Sequence, residues 1–340
     1  MTTALETRNE VLDALYAEMG RQMRDSRDSI TENAELARTI AASIKRNRSL
    51  VLLGMGGSHA VGRALEPCYR AVGVDAIAVT LSEQLDAPLP LEHRTVIVTS
   101  QSGESAEVLR WFDEGHAHED TFGLTMEPAS SLAKLTRCLI GEGGSEIPFA
   151  ATRSLTVTLA LHAAVLRELG SDISAALEVM GAVSPADVTP AIAKLADVRT
   201  IVTSGRTQQG VAEAIALGLT ELSRLPCFSL EGGQLRHGPV EMLAPDVGVV
   251  MFRDADASAS YVTSLAEFIL TTSDSPLVIF DASGLDAVPG AETIVCPTSS
   301  GLAACFALLP SAQRFMVDFA ASRVPDVGTP LRCSKVTKVE

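Results

Sequence analysis

The sequence predicts an α/β protein built twice over, each half a mainly parallel sheet flanked by helices, and three observations carry that prediction. Apolar, β-branched runs bounded by turn residues alternate with helical periodicity. The order of those runs repeats at an offset of roughly 150 residues, the span of a whole domain and not of a short solenoid unit. Segments rich in hydroxyls and glycine follow strands, where open parallel sheets bind ligands.

In the first half the strand-like runs are Ser49–Gly54, Asp75–Thr80, Thr95–Thr99, Thr121–Met126 and Cys138–Gly141; in the second they are Arg199–Ser204, Pro226–Leu230, Gly248–Phe252, Pro276–Asp281 and Glu292–Cys296. Helical periodicity covers Thr152–Leu169 and Gln209–Ser223. Ser171–Thr189, with Gly181, Pro185 and the following Pro190, is expected to connect the halves. From about Leu5 to Lys45 the pattern predicts two helices, in which Arg21, Arg24 and Arg27 interleave with Asp25, Asp28, Glu32 and Glu35. That mixture suits a solvated helix face and not a nucleic-acid arm. The expected division is a helical segment over residues 1–34, a first domain over 35–180 and a second over 181–340 that ends in a C-terminal tail.

The chain has 340 residues, 46% of them apolar and 20% charged, enough for two domains with cores of their own. A formal charge of −15 opposes nucleic acid and anionic membranes, yet leaves a small anion in a local pocket open. Met1–Glu10 lacks a basic start and apolar core, and no apolar run approaches the roughly 20 residues that span a bilayer, so a cytoplasmic protein is expected. The six cysteines form no Cys-x-x-Cys pair and read as reduced, mostly packing residues. His162 falls in a helix and reads as core, while His116 and His118 have no neighbouring metal ligands, so no metal site is expected. Gly54-Met55-Gly56 starts like a dinucleotide fingerprint, but His59 stands where the third glycine belongs and Asp75 opens its strand where an acid should close one. No cofactor is expected.

The segment Thr95–Ser105 (Thr-Val-Ile-Val-Thr-Ser-Gln-Ser-Gly-Glu-Ser) is the main candidate for binding. A buried strand delivers the chain to a turn, Gly103 permits close backbone approach, and the next helix offers unpaired N–H groups and its positive dipole end to an anion. Ser100, Ser102 and Ser105 add hydroxyls that can rotate toward phosphate oxygens. Taken alone, the segment also fits an ordinary strand-to-helix turn that Ser102 or Ser105 caps.

Further motifs stand in order along the chain: Gly56-Gly57-Ser58, Ser100-Gln101-Ser102-Gly103-Glu104-Ser105, Glu146-Ile147-Pro148-Phe149-Ala150-Ala151-Thr152-Arg153, Gln234-Leu235-Arg236-His237-Gly238-Pro239, and the tail from Ser334 through Lys335 to Glu340. With these motifs the chain resembles the sugar isomerase (SIS) domain family, in particular the tandem isomerase module of glutamine-dependent glucosamine-6-phosphate synthase. The resemblance implies two SIS domains with flavodoxin-like parallel sheets. It further implies that Gly56, Gly57, Ser58, Ser100, Gln101, Ser102, Ser105, Ala151 and Ser334 surround a hexose 6-phosphate or aminohexose 6-phosphate. Glu221 matches the carboxylate that moves a proton between C1 and C2, a task for a partly desolvated acid tuned toward neutral pH. His237, in a loop bounded by Gly238 and Pro239, would open the sugar ring, and in a homodimer it would serve the neighbouring subunit's site. Lys335 would handle the substrate carbonyl as a neutral amine.

The chain also departs from that pattern. Gly218 and Thr220 stand where the synthase helix carries lysines, Gly57 replaces a threonine and Ala151 a serine. Nothing like the glutaminase domain precedes residue 15, so glutamine is not the expected amine source. The leading expectation is a phosphosugar isomerase, with a deaminase or aminotransferase-like activity on a 2-amino sugar in the same class. A fructosamine-6-phosphate deglycase, which Glu231-Gly232-Gly233 would suit and Lys335 disfavours, is the nearest alternative. A non-catalytic phosphosugar-binding regulator is the other, although the N-terminal segment is short for a DNA-binding domain.

Overall fold

The computed structural model describes residues 4–337. Its contacts gather into two compact units, one of Tyr16–Ser174 with Pro330–Glu340 and the other of Met1–Leu15 with Ala175–Thr329.

In the first unit, after helix α1 (Ala4–Glu32), come α2 (Ala34–Asn47), β1 (Ser49–Gly54), α3 (Gly57–Ala71), β2 (Asp75–Thr80), α4 (Leu81–Asp86), β3 (Thr95–Thr99), α5 (Ala106–Asp113), β4 (Thr121–Thr125), α6 (Ser131–Leu135), β5 (Cys138–Ile140) and α7 (Arg153–Leu169). Its five strands are all parallel, in the order β2-β1-β3-β4-β5. Every residue of β3 and β4 is buried, as the unbroken apolar character of Val96-Ile97-Val98 requires when helices cover both faces.

The second unit carries α8 (Ser174–Ala182), α9 (Thr189–Lys194), β6 (Thr200–Ser204), α10 (Gln209–Ser223), β7 (Cys227–Ser229), α11 (Gly232–Arg236), β8 (Val247–Asp254), α12 (Ala259–Thr272), β9 (Leu277–Ala282), β10 (Glu292–Val295) and α13 (Gly301–Arg323). The sheet order β10-β9-β8-β6-β7, again all parallel, repeats the first sheet's connectivity strand for strand. All ten expected strands form, displaced by at most two residues at an end. The two N-terminal helices form as well.

The connecting segment holds α8, with Met180 and Ala176 buried. The structure differs from expectation in two places. The contacts divide the chain differently from its order. Residues 330–337 gather with the first sheet, because Ala106 N–H donates to the Thr337 carbonyl at 3.0 Å, and Val11 and Leu15 of α1 lie beside Gly328 of the second unit. Finally, α13 has the length and apolarity of a membrane span, which the sequence was not expected to contain, but most of it is buried among the strands and helices of its unit, as a core helix is.

His162 of α7 lies in the first unit's core, as expected. It is 1% exposed, and its Nδ1 meets the Tyr69 hydroxyl of α3 at 2.9 Å. Burial pushes its pKa down to about 3, so it stays neutral in the folded protein well below the pH at which an unfolded histidine takes up a proton. Since the unfolded state binds the extra proton, stability falls as pH drops from about 6.5 toward 3, with a slope of up to about 1.4 kcal/mol per pH unit. Denaturant midpoints measured from pH 7 to pH 4 should fall, and the fall should be shallower in His162→Asn, which keeps a partner for Tyr69 but cannot titrate. Equal slopes for the two proteins would refute this role.

Candidate functional site

In a sheet of this order the connections leave the two central strands in opposite directions, which opens a crevice at their carboxyl ends. In the first unit that crevice is framed by the segment after β1 and the segment after β3. Gly56, the residue before α3, has φ +51°, and Ser58 lies in the helix's first turn with its N–H bonded to the Met55 carbonyl at 3.0 Å. Gly56, Gly57 and Ser58 therefore stand at the start of a 15-residue helix, the end that favours an anion.

The segment after β3 is a compact hydroxyl-bonded turn. Gly103 N–H donates to both the carbonyl and the hydroxyl of Ser100 at 3.1 Å, Glu104 N–H donates to the Ser102 hydroxyl at 3.2 Å, and the Ser100 and Ser105 hydroxyls lie 3.1 Å apart. The Gln101 carbonyl accepts from Met126 N–H and from the Thr125 hydroxyl, which pins the turn to the end of β4. Gly103 has φ +64°, and a β-carbon there would collide with the Ser130 side chain, so the position takes only glycine. The turn's one acidic side chain is engaged elsewhere: Glu104 accepts from Ser131 N–H at 2.7 Å and the Ser131 hydroxyl at 2.9 Å at the start of α6.

Ala151 lies in the loop between β5 and α7, and that loop is fixed from both ends. The buried Glu146 carboxylate accepts from Thr152 N–H (2.9 Å), the Thr152 hydroxyl (2.6 Å), Arg153 N–H (2.8 Å) and the Ser154 hydroxyl, and so caps α7. Arg153 is wholly buried. Its guanidinium donates to the Glu142 carbonyl at 2.9 Å, the Gly144 carbonyl at 2.5 Å and the Glu18 carboxylate of α1. Burial alone would raise the pKa of Glu18, but the guanidiniums of Arg21 and Arg153 hold it below the usual carboxylate range. The Glu-Ile-Pro-Phe-Ala-Ala-Thr-Arg motif thus begins and ends in supports for the loop, a role that the sequence reading did not give it.

The tail lies on this same framework. Lys335 Nζ donates to the Pro148 carbonyl, Ser334 hydroxyl bonds the Val336 carbonyl at 2.7 Å, and the Thr337 carbonyl accepts the Ala106 N–H, the first of α5. Within the first unit the structure therefore gathers the Ser100–Ser105 turn, the Ala151 loop and the tail. The final tail residues, Lys338 to Glu340, lie outside the described residues.

Glu221 and His237 belong to the second unit. Glu221 is half-buried in the last turn of α10. Two of the departures noted above have physical causes there. A β-carbon at Gly218 would collide with Met316 of α13, so the helices meet where the synthase carries a lysine, and the Thr220 hydroxyl bonds the carbonyls of Ala216 (2.9 Å) and Cys227 (2.8 Å). His237 is exposed, and it follows a short helix, α11, where the sequence suggested a loop. Of the cysteines, Cys333 is exposed and the other five are buried or partly so, as the reading of mostly packing residues expects.

The second sheet's own crevice is filled from within. At the end of β8, the counterpart of β3, Asp254 accepts from the Thr207 hydroxyl (3.0 Å), the Gln208 amide (2.9 Å) and Gly301 N–H (3.2 Å). Burial, and then the neighbouring Asp256, raise its pKa. A carboxylate stands where the first sheet has hydroxyls, and it takes up the donors of Thr207, Gln208 and Gly301. No group of three or more metal-ligating side chains occurs among the described residues. Replacing Gly103 with alanine should strain the turn and drive the Ser130 side chain aside. Amide hydrogen exchange across Ser100–Ser105 should then speed up while the second unit is unchanged; unchanged exchange in the turn would contradict this geometry.

No family model matches the chain. In sequence it is similar to the glutamine–fructose-6-phosphate aminotransferase (isomerizing) of Streptococcus pyogenes, at 24% identity over 343 residues, 94% of this chain. The chain spans 36% to 56% of the length of such curated relatives. Among solved structures, tagatose-6-phosphate ketose/aldose isomerase of Escherichia coli superposes with a TM-score of 0.79 at 20% identity, over 94% of this chain and 95% of the other. Glucosamine-6-phosphate deaminase of Thermotoga maritima does so with a TM-score of 0.68 at 20% identity, over 92% and 99%.

Proposed function

We propose that this chain, which has the double SIS fold and is related in sequence to the isomerase part of the aminotransferases, is an enzyme that isomerises a hexose 6-phosphate or a 2-amino-hexose 6-phosphate. The observation that carries the reading is the hydroxyl turn after β3, at the crevice of the first sheet, with the lysine-bearing tail bonded to the neighbouring loop and to the start of α5. The turn supplies neutral donors to a phosphate at a helix N-terminus, and Glu104, the charge that would repel it, is tied to α6.

The chemistry follows from the side chains. His237 donates a proton to the ring oxygen as the C1–O bond of a cyclic aldose, or the C2–O bond of a cyclic ketose, breaks and the anomeric hydroxyl gives up its proton to water to become the carbonyl. Glu221 takes the proton from C2 of the open aldose while the electrons move through the carbonyl to O1. The proton of the C2 hydroxyl passes to O1, and Glu221 returns its own proton to C1 as the C2 carbonyl forms. Lys335 positions or condenses with the carbonyl, and it needs its neutral form to condense. Among sugar phosphates, fructose 6-phosphate and glucosamine 6-phosphate, on which the relatives act by name, are the substrates to try first.

Coupled assays on these two sugars, with and without ammonia, should give turnover. Glu221→Gln should lower kcat by about 10²- to 10⁴-fold, and Lys335→Ala should lower turnover without abolishing phosphosugar binding. Failure of the wild-type protein to convert either sugar under either condition would exclude these substrates. Tolerance of Lys335→Ala together with release of an amino acid from a 6-phosphorylated fructosamine would favour the deglycase instead.

A further inference from the structure

His237 is the exposed imidazole of the proposed site, yet the polypeptide that presents it is short. Helix α11 has only five residues, Gly232–Arg236, and Gly238 follows with φ +112°. A helix of one turn has too few internal bonds to hold its own shape. Something outside it must fix the direction in which His237 projects.

The Glu231 carboxylate does this with its two oxygens divided between two tasks. One oxygen accepts from Gly233 N–H at 2.8 Å and from Gln234 N–H at 3.1 Å. The other lies 2.9 Å from the Arg206 guanidinium. Gly233 and Gln234 are the same two residues whose carbonyls accept the His237 N–H, each at 3.2 Å. The shortest hydrogen-bonded path from the Glu231 carboxylate to the His237 N–H therefore crosses a single residue.

Arg206 ties this arrangement to the sheet. It belongs to the segment directly after β6, its guanidinium lies 5.4 Å from the centre of the Tyr261 ring on α12, and the adjoining Gly205 carbonyl accepts Gly232 N–H at 2.8 Å. The two glycines of α11 leave room for the pair. A β-carbon at Gly232 would lie 3.0 Å from Arg206 Cδ, and one at Gly233 would lie 2.8 Å from the Glu231 carboxylate and 3.0 Å from the Arg206 guanidinium. On the other side Leu235 is fully buried in the second unit's core. The helix is held between an ion pair and an apolar anchor.

We propose that Glu231, locked by Arg206, is a positioning residue that aims His237 for ring opening, a proposal that rests on the isomerase reading above. Its effect is confined to substrates that must open a ring. A ketose phosphate lacking the 5-hydroxyl, such as 5-deoxyfructose 6-phosphate, has no oxygen with which to close its furanose ring and needs no such proton.

The test compares wild type, Glu231→Ala and Glu231→Gln on fructose 6-phosphate and on 5-deoxyfructose 6-phosphate, and measures amide hydrogen exchange at His237 in each protein without ligand. For Glu231→Ala the expected result is a drop in kcat of about tenfold or more on the cyclic sugar, with KM nearly unchanged and turnover of the 5-deoxy sugar preserved. Glu231→Gln, whose amide oxygen still accepts from Gly233 and Gln234, should recover most of that loss. His237 N–H should exchange faster in the alanine variant than in wild type. Equal losses on the two sugars would reduce Glu231 to a general structural role and overturn the proposal, as would no loss on either. The exchange measurement separates this proposal from the isomerase reading: a wild type inactive on both sugars refutes the reading, whereas unchanged exchange at His237 in Glu231→Ala refutes the positioning whatever the activity.

Discussion

The first unit depends on one buried cation. A guanidinium sealed from water must have its donors matched and its charge met, because an unpaired one would cost several kcal/mol. Arg153 meets that demand with the Glu18 carboxylate of α1, with Asp25 at 3.4 Å, and with the carbonyls of Glu142 and Gly144. One side chain thereby joins the first helix, the loop after β5 and the start of α7. Glu146 completes the arrangement from the loop's other side by accepting the first N–H groups of α7. The Pro148 carbonyl, to which Lys335 is bonded, projects from the stretch between these two supports. The proposed place of the catalytic amine is thus set by an ion cluster that itself has no part in the chemistry.

The duplicated architecture makes the asymmetry of the two crevices informative. Both sheets have the same strand order, so both offer a helix N-terminus at a switch point. In the second, Asp254 occupies the donors of Thr207, Gln208 and Gly301. In the first, the hydroxyls of Ser102 and Ser105 border the turn while its carboxylate points to α6. The second unit carries Glu221 on a helix packed closely on α13, and His237 on a short helix braced by Glu231 and Arg206. The two copies of a common fold thus differ in the side chains they place at and around the carboxyl ends of their strands.

Much of this was legible in the sequence because burial on both faces leaves strands as unbroken apolar runs, and Val51 to Leu53, Val96 to Val98 and Val249 to Met251 can be little else. The turn after β3 was legible for a similar reason, since only a glycine at Gly103 fits beside Ser130. What was not legible lies in long-range partnerships. Arg153 meets Glu18 across 135 residues, and no local pattern links them. Thr337 reaches Ala106 from the far side of the sequence, so residues 330–337 gather with the first sheet although they follow the second in sequence. Gly218 reads as a lost lysine until Met316 is seen against it. The five-residue helix before His237 is too short to show any periodicity, and it forms because Glu231 caps it and Leu235 is buried.

The proposed binding of a sugar phosphate by the turn from Ser100 to Ser105 has a direct readout in melting temperature, since a molecule bound only by the folded state stabilises it by an amount that grows with the logarithm of ligand concentration above the Kd. Fructose 6-phosphate should raise the melting temperature of the wild-type protein and unphosphorylated fructose should not, and the rise should vanish when Ser102 and Ser105 are both replaced by alanine. An equal rise in the wild type and the double variant would place the phosphate elsewhere and contradict the account.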